Sequence, residues 1–280
     1  MWLQAHSLLS LLTSLVLTEE PKRLVLQPKS LSVRTSLVFP TPAIETIPVP
    51  AGFQGFDPAL CDPSLTKETY RRNLPHWRHE GATYFTTFRL NDSVPAAAAN
   101  EMKREALLMQ AEVERERRAA GGLLSLTTAR KWEDFQKRRF RKLEAIMDAG
   151  HGQCVLRDIK LRRLMVASLL HFENVRCRMS AFVIMPNHVH ALFRPLSGFT
   201  VEDLAGSWKK HCAATINMYL QQSGKLWQRE TYDRIVRDGT HFRRIVRYII
   251  RNPAAARLHE TEATIWLSDE IRNANEAPAQ

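Results

Sequence analysis

The chain has 280 residues, 44% of them apolar, and its 40 lysines and arginines outnumber 29 acidic residues to give a formal net charge of +11. That length and apolar share allow one sizeable core with appendages, and the charge excess suits a polyanionic partner bound through counterion release as well as it suits a solvated basic face. Cys61, Cys154, Cys177 and Cys212 show no CxxC or other close spacing, which argues against a cysteine zinc site or a disulfide framework and makes a reducing compartment the simpler expectation.

Residues 1–69 read as an extended or disordered extension. The apolar run over 8–17 is too short to span a bilayer, and no Lys or Arg precedes it as a secretory leader requires, so neither membrane association nor export is expected. Pro40, Pro42, Pro48, Pro50 and Gly52 then interrupt any helical or strand period. The core domain is expected over 70–258.

Residues 82–90 are β-branched and aromatic and predict its first strand. Two charged helical stretches, 96–118 and 127–149, flank Gly121-Gly122 and predict a helical hairpin inserted after that strand, over about 96–149, with solvated surfaces. Residues 158–172 predict an amphipathic helix with Leu161, Leu164, Met165, Leu169 and Phe172 on its buried arc and Asp158 as N-cap.

Strands over 176–184 and 187–194 follow, joined by a tight turn at Met185-Pro186. The second carries His188-Val189-His190. Residues i and i+2 share one face of a strand, so both imidazoles aim at the same point, and two neutral imidazoles make half of a divalent-metal site. Taken alone the pair is weak evidence, since ten histidines would produce about 0.4 such pairs by chance, and a hydrogen-bonded pair on an edge strand accounts for it too.

Residues 201–222 predict a helix packing through Leu204, Trp208, Thr215 and Tyr219, with Lys209 and Lys210 as candidate phosphate contacts. A strand is expected over 232–236. In the helix after it, Phe242, Ile245, Val246, Ile249 and Ile250 share one arc, while His241, Arg244, Tyr248 and Asn252 line a second stripe. Pro253 disfavours helical geometry at the residue before it, so this helix should end near Asn252. A helical tyrosine usually packs its ring and wets its hydroxyl. A phenol among guanidiniums is also where a phosphodiester would be held for phenolate attack, because Arg matches phosphate oxygens bidentately. Six arginines and two aspartates lie between 232 and 251, which makes Arg234, Arg237, Arg244, Arg247 and Arg251 candidate DNA contacts. Tyr232 is the alternative nucleophile. Residues 259–280 read as a tail.

Four pieces together, Met185-Pro186-Asn187-His188-Val189-His190, Leu226-Trp227-Gln228-Arg229, the run from Tyr232 to Asp238, and Tyr248-Ile249 with Asn252-Pro253, resemble the single-tyrosine HUH transposases, most of all the REP-associated tyrosine transposases, over about residues 70–258. The resemblance implies an α+β fold: a ferredoxin-like or RRM-like antiparallel sheet with helices packed on it. It implies Mg²⁺ or Mn²⁺ held by His188 and His190 with Asn252, and Tyr248 as the nucleophile that cleaves single-stranded or hairpin-flanked DNA to leave a 5′-phosphotyrosine and a free 3′-hydroxyl. It also implies a monomer or homodimer acting in the cytoplasm at the nucleoid. Related transposases often carry Gln where Asn252 stands. Tyr232 ranks second because it falls in a strand, whereas the resemblance puts the nucleophile on the following helix. Two other readings stay open: a domesticated, non-cleaving hairpin-DNA-binding protein, and a histidine-triad hydrolase, which would need a third alternating His where Leu192 stands.

Overall fold

In the computed structural model residues 46–56, 66–71, 75–121 and 125–276 are described, and the apolar run near the N-terminus lies outside the described residues. A hairpin of β1 (Thr66–Arg71) and β2 (Pro75–His79) precedes the main sheet. That sheet holds β3 (Tyr84–Arg89), β4 (Cys177–Ile184), β5 (His188–Pro195), β6 (Tyr232–Ile235) and β7 (Thr264–Leu267) in the order β6-β3-β5-β4-β7, every neighbouring pair antiparallel. Helices α1 (Ala96–Ala119) and α2 (Leu126–Asp148) form the insertion after β3, and α3 (Ile159–Leu170) leads into β4. Helix α4 (Val201–Tyr219) joins β5 to β6, α5 (Gly239–Ala255) follows β6, and α6 (Asp269–Glu276) follows β7. Without the insertion and β7 the order is βαββαβ with the ferredoxin-like strand arrangement, the expected α+β class. No helix among the described residues is long and apolar enough to cross a membrane.

Strand alternation divides β5 between two cores. Val189, Ala191 and Phe193 face Phe88, Phe182, the α3 residues Leu161, Met165 and Leu169, and the α4 residues Leu204, Trp208 and Ile216. Leu192 faces the other way, with Phe85, Ala181, Val183 and the α5 residues Phe242, Ile245, Val246, Ile249 and Ile250. Burying each large apolar side chain contributes about 1.5–3 kcal/mol, so a central strand covered on both faces is held firmly. His188 and His190 have the parity of Leu192. They point to the α5 side.

Four expectations are corrected. The expected tail over 259–280 is, as far as it is described, not a tail, because β7 pairs with β4 and buries Ile265 and Leu267. Arg162, only 1% exposed, ties α3 to that segment by donating to Thr264 Oγ1 at 3.1 Å and to the carbonyls of Thr261 and Glu262. The proline-rich stretch is not wholly a lead-in either. Ile47 is buried in the α5 core, its carbonyl accepts from Arg243 Nε at 2.9 Å, and Phe53 meets Phe242 edge-on at 5.5 Å. Close approach also explains Gly55, since a Cβ there would sit 2.5 Å from the Arg237 carbonyl oxygen.

Helix α4 packs through Leu204, Ala205, Trp208, Cys212 and Ile216, while Thr215 is half-buried and Tyr219 is exposed; Tyr219 falls on the buried side of the helical wheel, but it is the last residue of the helix. Helix α5 runs through Pro253 to Ala255. Proline in the last turn removes one hydrogen bond, and the end is closed by Ala256 N donating to Asn252 O and Leu258 N to Pro253 O, each at 3.0 Å.

Candidate metal and nucleic-acid site

Helix α5 starts cleanly because Asp238 caps it, accepting from His241 N at 2.7 Å. Its apolar arc lies on the sheet. The flank of that arc presents Arg244, Arg247, Tyr248, Arg251 and Asn252 to a cavity of about 350 Å³, and Glu144 and Asp148 of α2 line the same cavity.

Both imidazoles are fully buried. His190 Nδ1 lies 2.7 Å from Thr87 Oγ1, its register partner on β3, and its ring stacks on Phe85 at 5.4 Å. The Tyr248 hydroxyl is 3.2 Å from His190 Nε2. His188 Nδ1 is 2.8 Å from Asn187 Oδ1, an oxygen that can only accept, so Nδ1 carries the proton and Nε2 keeps its lone pair. Burial pushes the His188 pKa down to about 3 and that of His190 well below the usual value, the latter helped by His188. Both rings are therefore neutral, the ligating form.

Two carboxylates from the insertion face these rings. Glu144 Oε2 is 3.4 Å from His190 Nε2, and Asp148 Oδ1 is 3.9 Å from His188 Nε2. With neutral imidazoles these are not ion pairs. Burial, then the charge of Asp148, raises the Glu144 pKa to about 8, and burial raises Asp148 to about 6. His188 Nε2, both Glu144 oxygens, Asp148 Oδ1 and Asn252 Oδ1 are buried without hydrogen-bond partners. Leaving such atoms unpaired costs about 1–3 kcal/mol each, so four oxygens in the lining of one cavity, with the His188 nitrogen 3.9 Å from one of them, call for a ligand. Nitrogen and hard oxygen donors of this kind suit Mg²⁺ or Mn²⁺. The groups stand close in pairs; among the described residues no three His, Cys, Asp or Glu side chains are yet gathered as a ready-made metal site.

The structure sorts the remaining candidates. Arg244, Arg247 and Arg251 share the cavity with Tyr248. Arg234 is exposed on β6 opposite Phe85, hence on the same face, and Arg237 is exposed in the loop before α5. Lys209 and Lys210 are on α4, the helix that packs on the opposite face of the sheet from the imidazoles. Lys209 is moreover engaged, donating to the Arg229 carbonyl at 2.9 Å and Thr231 Oγ1 at 3.3 Å, and burial lowers its pKa to about 8. Tyr232 packs against Phe140 with ring centroids 4.6 Å apart and lines a different cavity.

Glu144 and Asp148 were missed from sequence because the insertion reads as a solvated hairpin. The available signal was an acid pair at i and i+4 sharing a face with Phe140 and Met147.

No protein-family model matches the chain, and no curated protein matches it. Among solved structures, a REP-associated tyrosine transposase bound to a REP hairpin matches at 14% identity and a TM-score of 0.37, covering 68% of this chain and 74% of that one.

Proposed function

We propose that the protein is a metal-dependent single-stranded DNA endonuclease and strand transferase, with Tyr248 as nucleophile and hairpin-flanked or repetitive DNA as substrate. One observation carries the reading: the Tyr248 hydroxyl stands 3.2 Å from Nε2 of a neutral, buried His190, at a cavity that three arginines line.

His188, His190 and Asn252 would hold Mg²⁺ or Mn²⁺, and their fit rests on the orphaned Nε2 and Oδ1 atoms of His188 and Asn252. Such an ion, when bound, polarises a phosphodiester oxygen. Arg244, Arg247 and Arg251 bind and orient the phosphate through charge-assisted hydrogen bonds. Their charges also favour the phenolate over a phenol whose ordinary pKa is near 10. The phenol gives up its proton to solvent, Tyr248 Oη forms a bond to phosphorus while the bond from phosphorus to the 3′ oxygen breaks, and that oxygen takes a proton from solvent to leave as the 3′-hydroxyl. The 5′-phosphotyrosine conserves the phosphodiester energy, so a later 3′-hydroxyl reverses the step, returns the proton to Tyr248 and needs no ATP.

The test is incubation of the full chain with 3′-labelled single-stranded hairpins and Mg²⁺ or Mn²⁺. The expected outcome is a denaturation-resistant protein–DNA adduct that EDTA prevents. Hairpin binding without an adduct under any of these conditions would favour the non-cleaving binding protein.

A further inference from the structure

We infer that the inserted helical hairpin supplies part of the metal centre: Glu144 and Asp148 of α2 ligate the same ion as His188 and His190. The inference rests on the metal-bound reading proposed above and adds two carboxylates to it.

The first support is a match of spacings. Residues four apart on a helix are separated by about 6 Å along its axis, and residues two apart on a strand by about 6.5–7 Å. Two acids at i and i+4 on α2 can therefore each face one of two imidazoles at i and i+2 on β5. They do: Glu144 faces His190 at 3.4 Å and Asp148 faces His188 at 3.9 Å. Adjacent oxygen or nitrogen ligands of an octahedral ion with bonds near 2.1 Å stand about 3 Å apart, so small side-chain movements bring these pairs to ligand spacing.

The second support is what the carboxylates lack. Glu144 is 7% exposed and neither of its oxygens has a hydrogen-bond partner, although Arg244, Arg247 and Arg251 line the same cavity. A buried carboxylate with no donor and no cation is strongly disfavoured. Asn252 Oδ1, in the lining of the same cavity, is also buried and orphaned, as is His188 Nε2, which faces Asp148 at 3.9 Å. A divalent ion drawn in between them, with small side-chain movements, would give each a partner.

The third support is that α2 is fixed where it would have to be. Asn187 donates through Nδ2 to the Met147 carbonyl at 3.1 Å and the His151 carbonyl at 3.0 Å, while its Oδ1 holds His188 Nδ1. One amide thus joins an imidazole to the helix end that bears the carboxylates. Met147, between the two acids, is itself buried.

Mn²⁺ titration of the full chain, followed by electron paramagnetic resonance and calorimetry, tests this with no dependence on cleavage. Glu144→Gln and Asp148→Asn, which keep shape and remove charge, should each weaken Mn²⁺ binding by about tenfold or more, as should His190→Ala, while Tyr248→Phe should not. Eu³⁺ luminescence lifetimes give a second readout: each carboxamide variant should add bound water to the ion. If His188→Ala and His190→Ala lose Mn²⁺ but Glu144→Gln and Asp148→Asn keep wild-type affinity and hydration, the carboxylate assignment is overturned and the HUH reading stands. If the wild-type chain binds no Mn²⁺, the metal-bound reading fails and this inference falls with it.

Discussion

The hydroxyl of Tyr248 lies 3.2 Å from Nε2 of His190, across 58 residues of sequence. The contact joins the helix that follows the sheet to the sheet's central strand, and it engages the ring nitrogen that a metal ion would take. On the metal-bound reading proposed above, ion binding would displace this contact and turn the phenol toward the arginines.

Removing that hydroxyl should separate chemistry from folding. Tyr248→Phe is expected to abolish the covalent adduct and to change apo stability by only about 0.5–1.5 kcal/mol, the net worth of one hydrogen bond. Tyr232→Phe should leave the adduct intact, because Tyr232 packs on Phe140 in another cavity. Gel analysis of adducts and urea melts of both variants check this pair of outcomes.

Stability in EDTA should depend on pH in a way that Glu144 dominates above neutrality. The depressed pKa of His188, from 6.5 to about 3, contributes stability that is present above pH 6.5 and lost as pH falls towards 3. Glu144, raised from 4.5 to about 8, acts in the opposite sense: its contribution is full below pH 4.5 and lost as pH rises through 8. Asp148, raised from 3.8 to about 6, does most of its titrating below that upper range, and the comparison with Glu144→Gln cancels most of its share. Between pH 6.5 and 8 the wild-type Tm should drop relative to Glu144→Gln, and the gap should widen with pH. A constant gap would show that Glu144 is already ionised in the folded chain.

Asn187→Ala should be costly. It leaves the carbonyls of Met147, in the last turn of α2, and of His151, just beyond it, and Nδ1 of His188 without their partner, a loss of about 2 kcal/mol or more if water cannot replace the amide. Thermal melts without metal read the stability, and Mn²⁺ titration should show weaker binding as the carboxylates lose their anchor.

DNA affinity should reveal which basic residues face the substrate. Replacing Arg244, Arg247 or Arg251 by Ala is expected to reduce the slope of log K against log salt by about 0.7 each for single-stranded DNA. Lys210→Ala, on the far side of the sheet, should leave the slope unchanged. Fluorescence anisotropy at several salt concentrations distinguishes the two groups.

Elements with a strong period were readable. The five apolar residues of α5 are all buried, Asp158 caps α3 by accepting from Lys160 N at 2.7 Å, and the His188–His190 parity places both rings on one face. What escaped notice depends on contacts between distant segments. Ile47 lies in an aperiodic stretch and is buried only because α5 covers it. Strand β7 has four residues and gains its identity by pairing with β4. Glu144 and Asp148 look like surface charges on a helix until the sheet is set against them. Local pattern specified the strand and the helix that bear the imidazoles and the phenol, whereas the far wall of the cavity arises from tertiary packing.

The central claim is that the buried imidazole pair and Tyr248 act together on a DNA phosphate. Mass spectrometry of proteolysed adducts, formed with Mn²⁺ and a single-stranded hairpin, tests it most directly. The account predicts a nucleotide 5′-phosphate on the peptide that contains Tyr248 and none when His188 or His190 is Ala. A nucleotide on Tyr232, or an adduct that persists without both histidines, would contradict it.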